Sequence, residues 1–107
     1  MTQLPKPFQQ FRADHSSVYA AYEQLGEAVA NGGPLDAKLR ELIKLGMAAA
    51  NRSESAVESH TYRALDAGAT PEEIEHTIML GINTLGFSTM MAAMTWARQA
   101  MAARKKP

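Results

Sequence analysis

Residues 53–74 read Ser53-Glu54-Ser55-Ala56-Val57-Glu58-Ser59-His60-Thr61-Tyr62-Arg63-Ala64-Leu65-Asp66-Ala67-Gly68-Ala69-Thr70-Pro71-Glu72-Glu73-Ile74. This stretch decides the fold. Ser53 to Ala67 reads as a helix carrying His60, and Gly68 stops it, because glycine accepts the left-handed backbone that ends many helices. Thr70 is an N-cap, Pro71 suits a first turn, and Glu73 completes a capping box, so a second helix starts at once. On a helical wheel His60 shares its face with Ser53, Ala56, Val57, Ala64 and Ala67, a surface of small residues that leaves room beside the imidazole.

Upstream, Pro34 suits the first turn of an earlier helix. Its apolar stripe is Leu39, Leu42, Ile43, Gly46, Met47 and Ala50. The opposite face holds Glu41, Leu45, Ala48 and Arg52 and is not fully polar, so this helix is expected to pack on both sides. Further back, Phe8, Phe11, Val18, Tyr22, Leu25 and Val29 make one stripe of a first helix ended by Asn31-Gly32-Gly33. His15 lies in that stripe as a packed or interface histidine. Pro5 and Pro7 are expected to keep residues 1–7 extended.

Downstream, Ile74, Ile78, Ile82 and Leu85 stripe a fourth helix, with Gly81 beside them to admit a close neighbour. Gly86 breaks the pattern and a last helix begins near Phe87 or Ser88. Met90, Met91, Met94, Ala97 and Met101 form one face of it, and Ala92, Ala93, Trp96, Ala100 and Ala103 the other. Two apolar faces on a terminal helix predict subunit contact. The methionines read as adaptable packing, not as a metal box. No segment alternates with period two. The pattern predicts an all-α, single-domain helical bundle of about five helices, spanning residues 1–107 and oligomeric.

Composition narrows the function classes. Lys+Arg and Asp+Glu both number 11, leaving no net field to draw in nucleic acid or an anionic membrane. The basic end Arg104-Lys105-Lys106 complements the negative end of the last helix. No run of 18 apolar residues and no charged-then-apolar leader is present, so a soluble, cytoplasmic protein is expected. Cysteine is absent from the chain, which removes disulfides, thiolate metal sites and thiol catalysis together. The sequon Asn51-Arg52-Ser53 is read as chance, there being no secretion signal.

Several of these segments resemble the carboxymuconolactone decarboxylase and alkylhydroperoxidase D family, over about residues 35–97. Leu35 through Ala50 is similar to its Leu-x-x-Lys-x-x-Glu-Leu helix, with Glu41 at the acidic position. His60 matches the family histidine, and Gly68-Ala69-Thr70-Pro71-Glu72-Glu73-Ile74 follows the Gly-x-Thr-x-Glu-Glu-Ile pattern. The resemblance implies an alkylhydroperoxidase D-like bundle that assembles with itself as a homotrimer or homohexamer. In the peroxidase branch a Cys-x-x-Cys-x-x-x-His motif reduces hydroperoxides, and those cysteine positions fall here on Ser53 and Ala56. A hydroxyl cannot cycle through sulfenate and disulfide, so thiol peroxidase activity should be absent. The decarboxylase branch needs neither thiol nor cofactor. It implies acid–base chemistry on a small carboxylated lactone or keto acid, with His60 as general acid/base and Glu41 orienting it.

Beside this stand plainer readings. His60 bonded to Glu41 also satisfies polarity in an interior, and the protein is then a non-enzymatic binding or scaffold oligomer. Ser53 and Ala56 are candidates to line a pocket. As a nucleophile Ser53 fails on distance, because seven helical residues separate it from His60 by about 10.5 Å, and an N-cap role fits it better. Ser55 and Glu58 offer a competing capping box. His76 lies among Glu72, Glu73 and Glu75, but one i, i+4 pair is too few ligands, and no metal or cofactor is expected. Tyr19, Tyr62 and Trp96 could stack on a flat substrate, though packing explains each. Arg52 and Arg63 are available to grip a carboxylate, and neither belongs to a matched motif.

Overall fold

The computed structural model describes residues 5–105, all of its regular structure helical. The chain divides between Pro34 and Leu35 into two compact units, each with its own helices. Among the described residues six helices occur, and no helix is long and apolar enough to cross a membrane.

The first unit holds α1 (Lys6–Asp14) and α2 (Ser16–Ala30). The pattern predicted one helix here. The chain instead breaks at His15 (φ −136°, ψ 57°), which closes α1 and opens α2 with no side-chain cap. The extended stretch expected over residues 1–7 does not reach Lys6 and Pro7. Pro5 is extended (φ −57°, ψ 152°), but Lys6 and Pro7 are already helical, since proline is tolerated in a first turn; residues 1–4 lie outside the described residues. The apolar stripe is real but uncovered. Neither helix buries a residue, and Phe8, Phe11, Val18, Tyr22, Leu25 and Val29 are all exposed. Aromatic contacts knit its surface: Phe11 to His15 at 5.0 Å, Phe11 to Tyr19 at 6.5 Å and Tyr19 to Tyr22 at 6.1 Å between ring centroids.

The second unit comprises α3 (Ala37–Ala50), α4 (Glu54–Asp66), α5 (Pro71–Met79) and α6 (Phe87–Lys105). Asp36, not the Pro34 turn, starts α3: its carboxylate accepts from the Leu39 N–H at 2.9 Å. A three-residue link, with Arg52 left-handed at φ 53°, returns the chain so that α4 runs back along α3. Helix α4 ends as the sequence requires. Gly68 takes φ 97°, its N–H reaches the Leu65 carbonyl at 3.0 Å, and the Ala69 N–H reaches the Ala64 carbonyl at 2.9 Å, the paired bonds of a glycine-terminated helix. The Thr70–Glu73 capping box forms in both directions, at 3.1 and 2.9 Å.

Helix α5 is shorter than its stripe. It stops at Met79; Ile82 and Leu85 lie in the turns that follow, Ile82 exposed and Leu85 half-buried. A Cβ on Gly81 would sit 3.0 Å from Leu85 Cδ1 and 3.1 Å from the Ile78 carbonyl. The glycine thus makes room for Leu85 to fold back, not for a neighbouring helix. Gly86 at φ 101° turns the chain into α6.

Leu45, Val57, Ile74 and Ile78 are the large aliphatic side chains of the core, surrounded by alanines and by Met90, Met94 and Met101. Two faces differ from the sequence pattern. On α3 the buried residues are Leu45, Ala48 and Ala49, whereas Leu39, Ile43 and Met47 of the apolar stripe are exposed. On α6 both faces are largely consumed within the unit, through Met90, Ala93, Met94, Ala97, Ala100 and Met101. Exposed large apolar side chains are found on α1, α2 and α3, and on the last helix at Phe87. Arg104 is no loose tail: it pairs with Asp66, donates to the Tyr62 carbonyl at 3.3 Å, and stands 5.3 Å from the Tyr62 ring centroid. Lys106 lies outside the described residues.

Candidate active site

Glu41 sits one turn before Leu45 and two before Ala48 on α3, so the packing that buries those two aims Glu41 toward α4. On α4, His60 lies between Val57 and Ala64, both fully buried, which places the imidazole at the rim of the core. The two side chains meet: His60 Nδ1 is 2.8 Å from Glu41 Oε1, with about a fifth of each side chain exposed, 20% and 19%. An ionised carboxylate only accepts hydrogen bonds, so Nδ1 carries the proton and donates. That fixes the tautomer and leaves Nε2 as the atom able to take or give a proton.

Burial pushes the Glu41 carboxyl up, but the His60 hydrogen bond, with the positive charges of His60, Arg63 and Lys44, outweighs it and holds the group below its ordinary value of 4.5. A depressed folded-state pKa means that the ionised carboxylate stabilises the fold above pH 4.5 and loses that contribution as pH falls through the lower folded value. Denaturant unfolding of wild type and Glu41→Gln should differ by roughly 1–3 kcal/mol near neutrality, the range for a hydrogen bond to a charged group. The gap should close only below pH 4.5. A gap that is constant through that window would mean Glu41 is not ionised in the pair.

The other candidate positions are structural in these surroundings. Ser53 caps α4, its hydroxyl accepting from the Ala56 N–H at 3.3 Å, and Ala56 packs against the core; Ser55 and Glu58 do not supply the cap. Glu73 is held by Lys38 at 3.0 Å, and Glu75 by two bonds from Arg98 at 3.1 and 3.0 Å. Both carboxyls are consequently below the ordinary range, Glu73 chiefly through the Thr70 N–H and Glu75 through Arg98. They are committed away from His76. Among the described residues no group of three or more His, Cys, Asp or Glu converges on a metal position. Tyr62 lies under Arg104, Trp96 packs against the core, and Tyr19 belongs to the aromatic cluster of the first unit.

Of the two arginines, Arg52 is occupied, donating to Thr89 Oγ1 at 2.7 Å, while Arg63 acts on Glu41. Lys44, which the sequence reading passed over, acts on Glu41 as well. The available signal was its position three residues after Glu41, on a neighbouring part of the same helix face.

Comparison with known proteins finds matches in sequence and in fold. The sequence pattern of the Carboxymuconolactone decarboxylase family matches residues 16–99, reaching further toward the N-terminus than 35–97. An uncharacterized protein of Haemophilus influenzae is 39% identical over 61 residues, 57% of this chain and 54% of that protein. The aligned part thus covers about half of that relative's length. The crystal structure of an apo carboxymuconolactone decarboxylase family protein from Legionella pneumophila superposes with a TM-score of 0.81 at 25% identity, over 94% of this chain and 88% of that one.

Proposed function

This chain belongs to the carboxymuconolactone decarboxylase family, and from that premise we propose that it is a cofactor-free acid–base enzyme acting on a small carboxylated lactone or keto acid. The observation that carries the reading is the 2.8 Å bond from His60 to Glu41, kept in a chain without cysteine. A thiol relay is closed to this chain, but proton transfer is not.

Loss of carbon dioxide from a carboxylate activated by a neighbouring carbonyl moves the carbon–carbon bonding pair into an enolate. Protonated His60 then gives its Nε2 proton to the α-carbon, and water restores the imidazolium. Glu41 keeps the ring oriented through Nδ1–H. The test is to incubate the protein with carboxylated γ-lactones and β-keto acids in deuterium oxide. Carbon dioxide release should accompany deuterium at the α-carbon. A panel on which the wild type shows neither leaves the enzyme reading without support.

A second reading, a non-enzymatic binding or scaffold oligomer, draws on the exposed line Leu39, Ile43 and Met47 of α3, at 44%, 42% and 64% exposure. Self-association into a trimer or hexamer would cover such a line, and it is compatible with catalysis. Light scattering of wild type and Ile43→Glu should then show a larger particle that the charge disperses; a monomeric wild type removes this reading.

A further inference from the structure

Each partner of the His60–Glu41 pair has a basic residue three positions further along its own helix: Lys44 after Glu41 on α3, Arg63 after His60 on α4. Residues three apart are neighbours on a helix surface. Because α3 and α4 run in opposite directions, the two offsets point opposite ways along the hairpin. Lys44 lies about 4.5 Å toward the connecting loop and Arg63 about 4.5 Å away from it. The acid–base pair is thereby bracketed by two cations.

Within the second unit these two cations are uncommitted where the other described Lys and Arg side chains are engaged. Ion pairs among the described residues engage Lys38, His60, Arg98 and Arg104. Arg40 is bonded to the Leu35 carbonyl and Arg52 to Thr89. Lys44 and Arg63 have no such partner, and both feel Glu41 at longer range. Glu41 in turn has one oxygen engaged by His60 Nδ1. One carboxylate set against two permanent cations leaves an excess of positive charge around the imidazole even when the ring is neutral. Lys44 is half-buried and Arg63 exposed, so one is anchored in the rim while the other is free to swing over an incoming group.

We infer that Lys44 and Arg63 form an anion grip across the His60–Glu41 pair, which selects substrates bearing a carboxylate beside the reacting carbon. The inference rests on the acid–base reading of His60 for its catalytic meaning, though the binding itself does not. Arginine offers a planar fork for two carboxylate oxygens and lysine a point charge, so Arg63 sets orientation and Lys44 mainly attracts. These are specificity-determining residues; His60 remains the group that moves the proton.

The probes are 4-oxopentanoate, a small keto acid, and its uncharged methyl ester, titrated while the His60 ring carbon–proton signals are followed by NMR. The acid should bind wild type and shift those signals, and the ester should bind more weakly. Lys44→Gln and Arg63→Gln should each weaken the acid by about tenfold, the double variant by about a hundredfold if the two act independently. The ester should be indifferent to both substitutions. Lys44→Arg, which keeps charge and helix propensity, should retain most of the affinity. Arg63→Lys, which keeps the charge but loses the fork, should fall between wild type and Arg63→Gln, and thermal melts identify any variant that has lost its fold. Equal affinity of the acid for wild type and the folded double variant overturns the grip, as does failure of the acid to bind wild type. His60→Ala separates the two claims. Acid binding that persists in that variant and still depends on Lys44 and Arg63 keeps the grip, even where the wild type proves to have no turnover.

Discussion

His60→Ala is expected to lower the proposed turnover of a carboxylated lactone or β-keto acid by about 10²–10⁴-fold, the span for loss of a positioned general acid or base. The fold should survive it, because His60 sits at the rim of the core and contributes none of the fully buried side chains. Its removal does leave the Glu41 carboxylate half-buried without its hydrogen-bond partner, which costs roughly 1–3 kcal/mol. His60→Gln is the sharper variant, since its amide can still donate to Glu41 but cannot carry a proton to carbon. Both variants should be folded and inactive. A His60→Gln protein with wild-type turnover would show that the imidazole is structural, and the acid–base mechanism would go with it.

The largest stability effect is expected at Leu45. This side chain is fully buried, and a Leu→Ala change in such a site costs about 2–5 kcal/mol, a large part of the roughly 5–15 kcal/mol that a typical domain has to lose. The core of the second unit makes the upper half of that range the expectation. Six of the thirteen described core residues are alanines that cannot reach into the gap, which leaves its partial filling to Met90, Met94 and Met101. Urea unfolding followed by far-ultraviolet circular dichroism measures it. Met47→Ala, two residues away and 64% exposed, should by contrast stay within about 0.5 kcal/mol when compared as dissociated chains. The reverse order of the two would mean that the outer stripe of α3 is the true core face.

That contrast shows where the sequence was readable. Element type was, because the signals are local: Gly68, the Thr70–Glu73 box and the Ser53 cap each dictate their own bonds, and all of those bonds form. The Glu41–His60 contact followed from matching family positions, since nineteen residues separate the two and no helical period links them. The faces of α3 were readable in part: packing on the side of Leu45 and Ala48 was expected and is found, whereas the stronger stripe is left uncovered within the unit. Leu39, Ile43 and Met47 carry more hydrophobicity than Ala48 and Ala49, yet close approach of α4 favours the small side chains. Hydrophobicity ranks the faces, whereas the width of the gap between helices chooses among them. The end of α5 failed for a related reason. Ile82 and Leu85 continue the spacing, but Gly81 leaves space for Leu85 to fold back and Gly86 turns the backbone at φ 101°, and the spacing registers neither. Nothing in the residues around His15 explains the break between α1 and α2.

Ser53 occupies the first thiol position of the peroxidase motif while its oxygen holds the opening turn of α4. Grafting sulfur back at Ser53 and Ala56 therefore does more than restore a redox couple. A thiol is a weak acceptor, so the graft loosens the front end of the very helix that carries His60, by an amount on the order of the 1 kcal/mol an N-cap supplies. Redox competence and a firmly seated His60 compete for one atom, and this chain has settled on oxygen.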